Sequence, residues 1–150
     1  MREAEAWELL RRHDSAEGVE WPPGYDWEAA ERRFRALVAR LEDALEMPLQ
    51  AESGATIQDA SFHGQVVLPD ALLGPTRRPG VTYALRVSNF GGLAAICGDD
   101  EVEPRALAAV DEALEAAGYV RLPGALLDRP YDGRVPAGIA TWWDRYFDWL

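Results

Sequence analysis

The sequence predicts one α+β domain of two layers, an antiparallel meander sheet of about 4–5 strands with helices packed on its apolar face. Three observations carry that expectation. The chain has 150 residues, of which 48% are hydrophobic and 27% charged, ordinary values for a single globular unit. Its first and last thirds hold apolar residues at the 3–4 spacing of helices, and its middle alternates with period two. No internal repeat, low-complexity tract or linker divides residues 1–150.

Residues 3–13 read as a short amphipathic helix with Trp7 and Leu10 on one side and Glu8–Arg12 at the i,i+4 spacing. DSAEGVEWPPGY follows, a loop by its prolines and glycines. Asp26 offers an N-cap oxygen to a second helix, whose stripe is Trp27, Ala30, Phe34, Leu37, Val38, Leu41 and Leu45. Pro48 ends it, because a proline there supplies no amide.

In Gln58–Leu68 the alternation puts Ala60, Phe62, Val66 and Leu68 on one face and Asp59, Ser61, His63 and Gln65 on the other. In Val81–Ser88, Val81, Tyr83, Leu85 and Val87 oppose Thr82, Ala84, Arg86 and Ser88. NFGG reads as a hairpin turn, leading to a short strand in LAAIC. The acidic run Asp99–Glu103 leads to Pro104 at a first helical position, and Gly118 suits the C′ position of that helix. Tyr119–Leu122 adds a last strand, and residues 139–150 close the chain as an aromatic helix.

Composition bounds the partners. Fifteen basic against 26 acidic residues give a formal charge of −11, with a pI near 4.6. Nucleic acid and anionic membranes need a basic face, so neither is expected. The charged N-terminus lacks an apolar signal region, and Cys97 has no second cysteine to pair with, so the expected location is cytoplasmic. The chain has no lysine, which removes Schiff-base chemistry and the phosphate-loop lysine.

Candidate chemistry is sparse. Asp59, Ser61 and His63 hold the residue types of an acid–base–nucleophile set on one strand face. Alternate strand residues sit roughly 6.5–7 Å apart, however, and no G-x-S-x-G surrounds Ser61, so no catalytic role is assigned to them. Arg86 is expected to pair across that face with Asp59 or another carboxylate. His13 and His63 belong to no metal motif, and Asp99, Asp100, Glu101 and Glu103 lack the spacing of a calcium loop; no metal or cofactor is expected. Cys97 reads as a small buried hydrophobe.

Six tryptophans are many for this length. Ile139, Trp142, Trp143, Tyr146, Phe147 and Leu150 form a stripe that closes a core, whereas Trp21 and Tyr25 lie in the acidic, proline-containing loop. The resulting expectation is a non-enzymatic module that binds a basic protein partner through Trp21 and Tyr25, with Asp99, Asp100 and Glu101 adding charge. In size and charge the chain resembles small acidic immunity or inhibitor proteins, which implies a neutralising or regulatory role. The alternative is a small-molecule binder or hydrolase using the polar sheet face around Asp59, Ser61, His63 and Arg86.

Overall fold

The longest apolar stripe forms the longest helix. In the computed structural model, which describes residues 1–150, α2 spans Trp27–Leu45 and follows α1 at Glu3–His13. The Asp26 carboxylate accepts the Ala29 amide at 3.0 Å, so one of the free N–H groups that begin every helix is capped. Phe34, Leu37 and Leu41 are buried. Trp27 leaves the expected stripe and is 40% exposed, because its ring packs edge-on against Trp21 and Tyr25 of the preceding loop.

Five strands follow in the order β1-β2-β3-β4-β5: β1 Ala51–Ser53, β2 Phe62–Val67, β3 Ala84–Ser88, β4 Leu93–Ile96 and β5 Val120–Arg121. The first four pair antiparallel as a meander. β5 lies parallel to β4, since α3 (Pro104–Ala116) supplies the crossover that a parallel pair needs. The fold is α+β, with an open, mostly antiparallel sheet. No helix is long and apolar enough to cross a membrane.

Two strand ends differ from the sequence expectation. Val81 is exposed and β3 starts only at Ala84, while the Tyr83 hydroxyl accepts the Arg78 amide and so ties the preceding turn to the strand. Cys97 is exposed rather than buried: its amide still donates to the Ala84 carbonyl at 3.1 Å, but Gly98, at φ 78°, turns the chain away from the sheet.

A bulge in β2 changes the assignment of faces. Phe62 pairs with Ser88 but Gly64 with Val87, so His63 is an extra residue set against no partner. Alternation therefore resets at His63. Phe62 falls on the face of Arg86, whereas His63 turns towards α2 on the face of Val66 and Leu85. Asp59, Ser61, His63 and Gln65 do not share a polar face. Gly64 fits the bulge because an added Cβ would lie 2.8 Å from the Phe34 ring.

Both sheet faces are covered. α2 and α3 pack over Val66, Leu85, Val87, Ala94 and Ile96. On the other side Leu93 and Ala95 meet α1, α4 (Gly124–Leu127) and α5 (Trp142–Phe147), chiefly Leu10, Leu127, Trp142, Tyr146 and Phe147. Thr141 and Asp144 cap α5 reciprocally, each side chain accepting the other's amide. The closing helix is six residues long, not twelve. It stops at Phe147 because Asp148 turns extended and Trp149 bridges to Ala60 beside β2.

Candidate functional site

The structure separates the residues that alternation placed together. Asp59 sits outside the strand at φ 50°, exposed, and its carbonyl accepts the Leu150 amide at 2.8 Å. Ser61 is buried, and its hydroxyl donates to the Asp148 carbonyl at 3.1 Å while accepting the Asp148 amide at 3.2 Å. That serine clasps the C-terminal segment and faces no base. His63 lies on the opposite side of the sheet, so Asp59, Ser61 and His63 make no acid–base–nucleophile set.

Arg86 finds a carboxylate, but it is Asp148 at 3.3 Å and not Asp59. Its guanidinium also donates to Gln65 at 3.0 Å and to the Phe147 carbonyl at 2.7 Å, and lies over the rings of Phe62 and Trp149. Burial pushes its pKa down and Asp148 opposes that shift. Arg86 is thus consumed in holding the C-terminal segment to the sheet.

Tyr25 and His63, by contrast, are brought together. The Tyr25 hydroxyl lies 3.0 Å from His63 Nδ1 and 3.0 Å from Asn89 Oδ1, and His63 Nε2 lies 3.0 Å from Glu31. Asn89 is oriented by its own amide, which donates to the Glu20 carbonyl at 2.8 Å and to the Ala60 carbonyl at 3.1 Å. Burial pushes the pKa of His63 below the ordinary histidine range, with Glu31 pulling it back. Burial raises Glu31, but the Ser53 hydroxyl, His63 and Arg35 outweigh it and hold the carboxyl below its usual range.

Neutral His63 donates from Nε2 to the Glu31 carboxylate and leaves Nδ1 as an acceptor. The Tyr25 hydroxyl has one hydrogen for two acceptors, Nδ1 and Asn89 Oδ1. Only imidazolium supplies the second hydrogen and satisfies every contact. The charged ring gains one hydrogen bond, but burial outweighs that gain and keeps the pKa of His63 below the ordinary range.

A second buried anchor holds the start of the same loop. Arg145 is fully buried and donates to Asp14 at 2.9 Å and to the carbonyls of Ser15, Gly18 and Val19 at 3.0–3.2 Å. Asp14 also accepts the Tyr131 hydroxyl and the Arg134 amide. Gly18 allows a close approach that any Cβ would block, since it would collide with the Trp21 carbonyl.

Between these anchors the loop presents aromatic rings. Trp21 is 43% exposed, and its ring centroid lies 5.9 Å from that of Trp27 at 70°. Tyr25 meets Trp27 at 5.2 Å and 76°. Trp21 and Trp27 line a cavity of about 420 Å³ with Ile57, Phe62 and the acidic residues Glu20 and Asp59. A separate cavity of about 350 Å³ opens over Tyr25, His63, Asn89 and Arg33.

The other acidic candidates lie apart from this loop. Asp99, Asp100 and Glu101 form a turn of 3₁₀ helix, where Asp99 accepts from Arg121 and the Gly124 amide and Glu101 accepts from Thr76. Asp100 is exposed. None of them lines either loop cavity. No group of three or more histidine, cysteine or acidic residues is placed to hold a metal.

Sequence reasoning named Trp21, Tyr25, His63 and Asp59 but missed Glu20, Trp27, Glu31, Asn89 and Arg145. Asn89, the one asparagine in the chain, carried a signal in its rarity. Glu31 was masked by its i,i+4 spacing to Arg35, which it also meets, at 3.3 Å. In comparisons with family models, curated proteins and solved structures, nothing matches this chain.

Proposed function

We propose that the protein is a non-enzymatic docking module for a basic protein partner, engaged through the loop that carries Trp21 and Tyr25 and through the adjoining Trp27. The observation that carries this reading is exposed Trp21, on a loop anchored at both ends, packed against exposed Trp27 at the start of α2, beside a cavity with Glu20 and Asp59 in its lining. Anchored aromatics bind with little ordering cost and are common interface hot spots. A charge of −11 steers a basic partner and speeds encounter more than it adds affinity. The competing reading, chemistry on a polar sheet face, loses its support because Ser61 and Arg86 are both committed to the C-terminal segment.

A photo-cross-linking residue placed at Trp21, with the same residue at exposed Glu112 of α3 as control, tests the proposal in the cells that make the protein. A basic protein captured from position 21 and not from 112, in a yield that falls with added salt, supports it. No capture, or equal capture from both positions, overturns it.

A further inference from the structure

We infer that the cavity lined by Trp21 and Trp27 is a seat for an arginine guanidinium supplied by the partner. The inference rests on the docking reading and specifies which side chain the loop takes.

Its basis is how the chain uses its own cations. Arg11 and Arg129 lie over Trp7, Arg11 also over Trp142, and Arg86 over Trp143 and Trp149. Four of the six tryptophans thus carry an internal guanidinium within 4.7–5.9 Å of the ring centroid. Trp21 and Trp27 carry none, and they are also the pair that lines the cavity. The carboxylates of Glu20 and Asp59 in the same lining have no ion-pair or hydrogen-bond partner, whereas Glu31, Asp14, Asp99, Asp111 and Asp148 each hold an arginine. Two residues with unpaired carboxylates and two indoles without an internal guanidinium therefore line one space.

The shape selects among cations. The two indole rings pack edge to face at 70°, and the corner they make on the cavity side leaves Trp21 and Trp27 43% and 40% exposed, so that a flat ion can stack on one ring there. A guanidinium is planar, is more weakly hydrated than an ammonium and pairs bidentately with carboxylates, so it suits this corner better than lysine. Asp26 and Glu28, flanking Trp27, offset the partial positive charge at the start of α2.

The test follows the indole N–H signals of the intact protein by NMR during titration with three glycine–serine peptides that differ at one central residue: arginine, lysine or citrulline. Citrulline keeps the planar shape but lacks the charge and carries a carbonyl acceptor where arginine has an N–H donor group. Saturable shifts confined to Trp21 and Trp27 are expected with arginine. Citrulline should bind at least about fivefold more weakly, since cation–π and carboxylate attraction both vanish. E20Q/D59N, which alters only unpaired side chains, should weaken the arginine peptide severalfold at unchanged stability. Equal binding of arginine and citrulline, an unaffected E20Q/D59N variant, or tighter binding of tetramethylammonium than of the arginine peptide overturns the assignment. If position 21 cross-links a basic protein but the arginine peptide shifts neither indole, the docking reading stands and the guanidinium seat falls. The reverse pattern keeps the seat and removes the docking reading.

Discussion

Arg145→Met tests whether the loop is built in advance. Arg145 is fully buried, paired with a buried Asp14, and is the donor that its arrangement supplies to three main-chain carbonyls of residues 15–19. Methionine keeps the apolar stem but removes all of those bonds. Asp14 keeps the Tyr131 hydroxyl and the Arg134 amide, yet its charge is left without a cation. Removing one partner of a buried ion pair costs about 3–5 kcal/mol, a large share of the roughly 5–15 kcal/mol that hold a domain together.

Denaturant unfolding followed by far-UV circular dichroism gives that loss, and the double variant D14N/R145M gives the coupling. The two single losses should exceed the double loss by more than about 1 kcal/mol, because both remove one interaction. Asp14 also sets an acid limb. Burial raises its pKa, but the Arg134 amide, Arg145 and Tyr131 lower it further, so the net shift is downward. Its contribution is complete above the ordinary aspartate value and is lost as pH falls through the lowered one; the Arg145 variant should lose part of that pH dependence. A loss below about 1 kcal/mol, or strictly additive single variants, refutes the anchoring argument.

Trp142→Ala or Phe147→Ala, both fully buried against α1 and the sheet, should cost about 3–5 kcal/mol, and an unchanged denaturation midpoint would contradict their place in the core. His63 has a lowered pKa, so its contribution to stability is complete above the ordinary histidine value and is lost as pH falls through the lowered one. The ring signals of His63 should titrate below the ordinary range, and His63→Gln should flatten the stability profile in that window; an unshifted midpoint contradicts this. Gly64→Ala should lose about 1–3 kcal/mol by forcing a methyl against the Phe34 ring, and a neutral result in thermal unfolding would remove the stated reason for a glycine in the bulge.

α1, α2 and α3 were legible because local signals decide them, among them the Asp26 cap, the 3–4 stripe through Phe34, Leu37 and Leu41, and Pro104 at the start of α3. α4 was not foreseen, and the closing helix was expected at twice its length. The meander order was legible from successive period-two runs and the NFGG turn, where Gly91 and Gly92 take positive φ. The site was less so. One extra residue at His63 swaps the faces expected for Phe62 and His63, and alternation alone has no mark for it. Trp149 fitted a helix by spacing, yet Asp148 gives its amide and carbonyl to Ser61, a contact 87 residues away in sequence. Trp21 and Tyr25 stood out because exposed aromatics in a loop conflict with core burial. Their supports, Arg145 and Asn89, act through distant carbonyls that no local pattern encodes.

The docking account is tested most directly by association kinetics with the protein captured at position 21. Screening shortens the reach of exposed charges from about 30 Å at 0.01 M salt to about 8 Å at physiological ionic strength. For a basic partner steered by a protein of charge −11, the association rate constant should fall steeply across that range while the dissociation rate changes little. Trp21→Ala should do the opposite, speeding dissociation at nearly constant association. An association rate that ignores salt, or an unchanged dissociation rate for the Trp21 variant, would contradict an acidic, tryptophan-anchored docking surface.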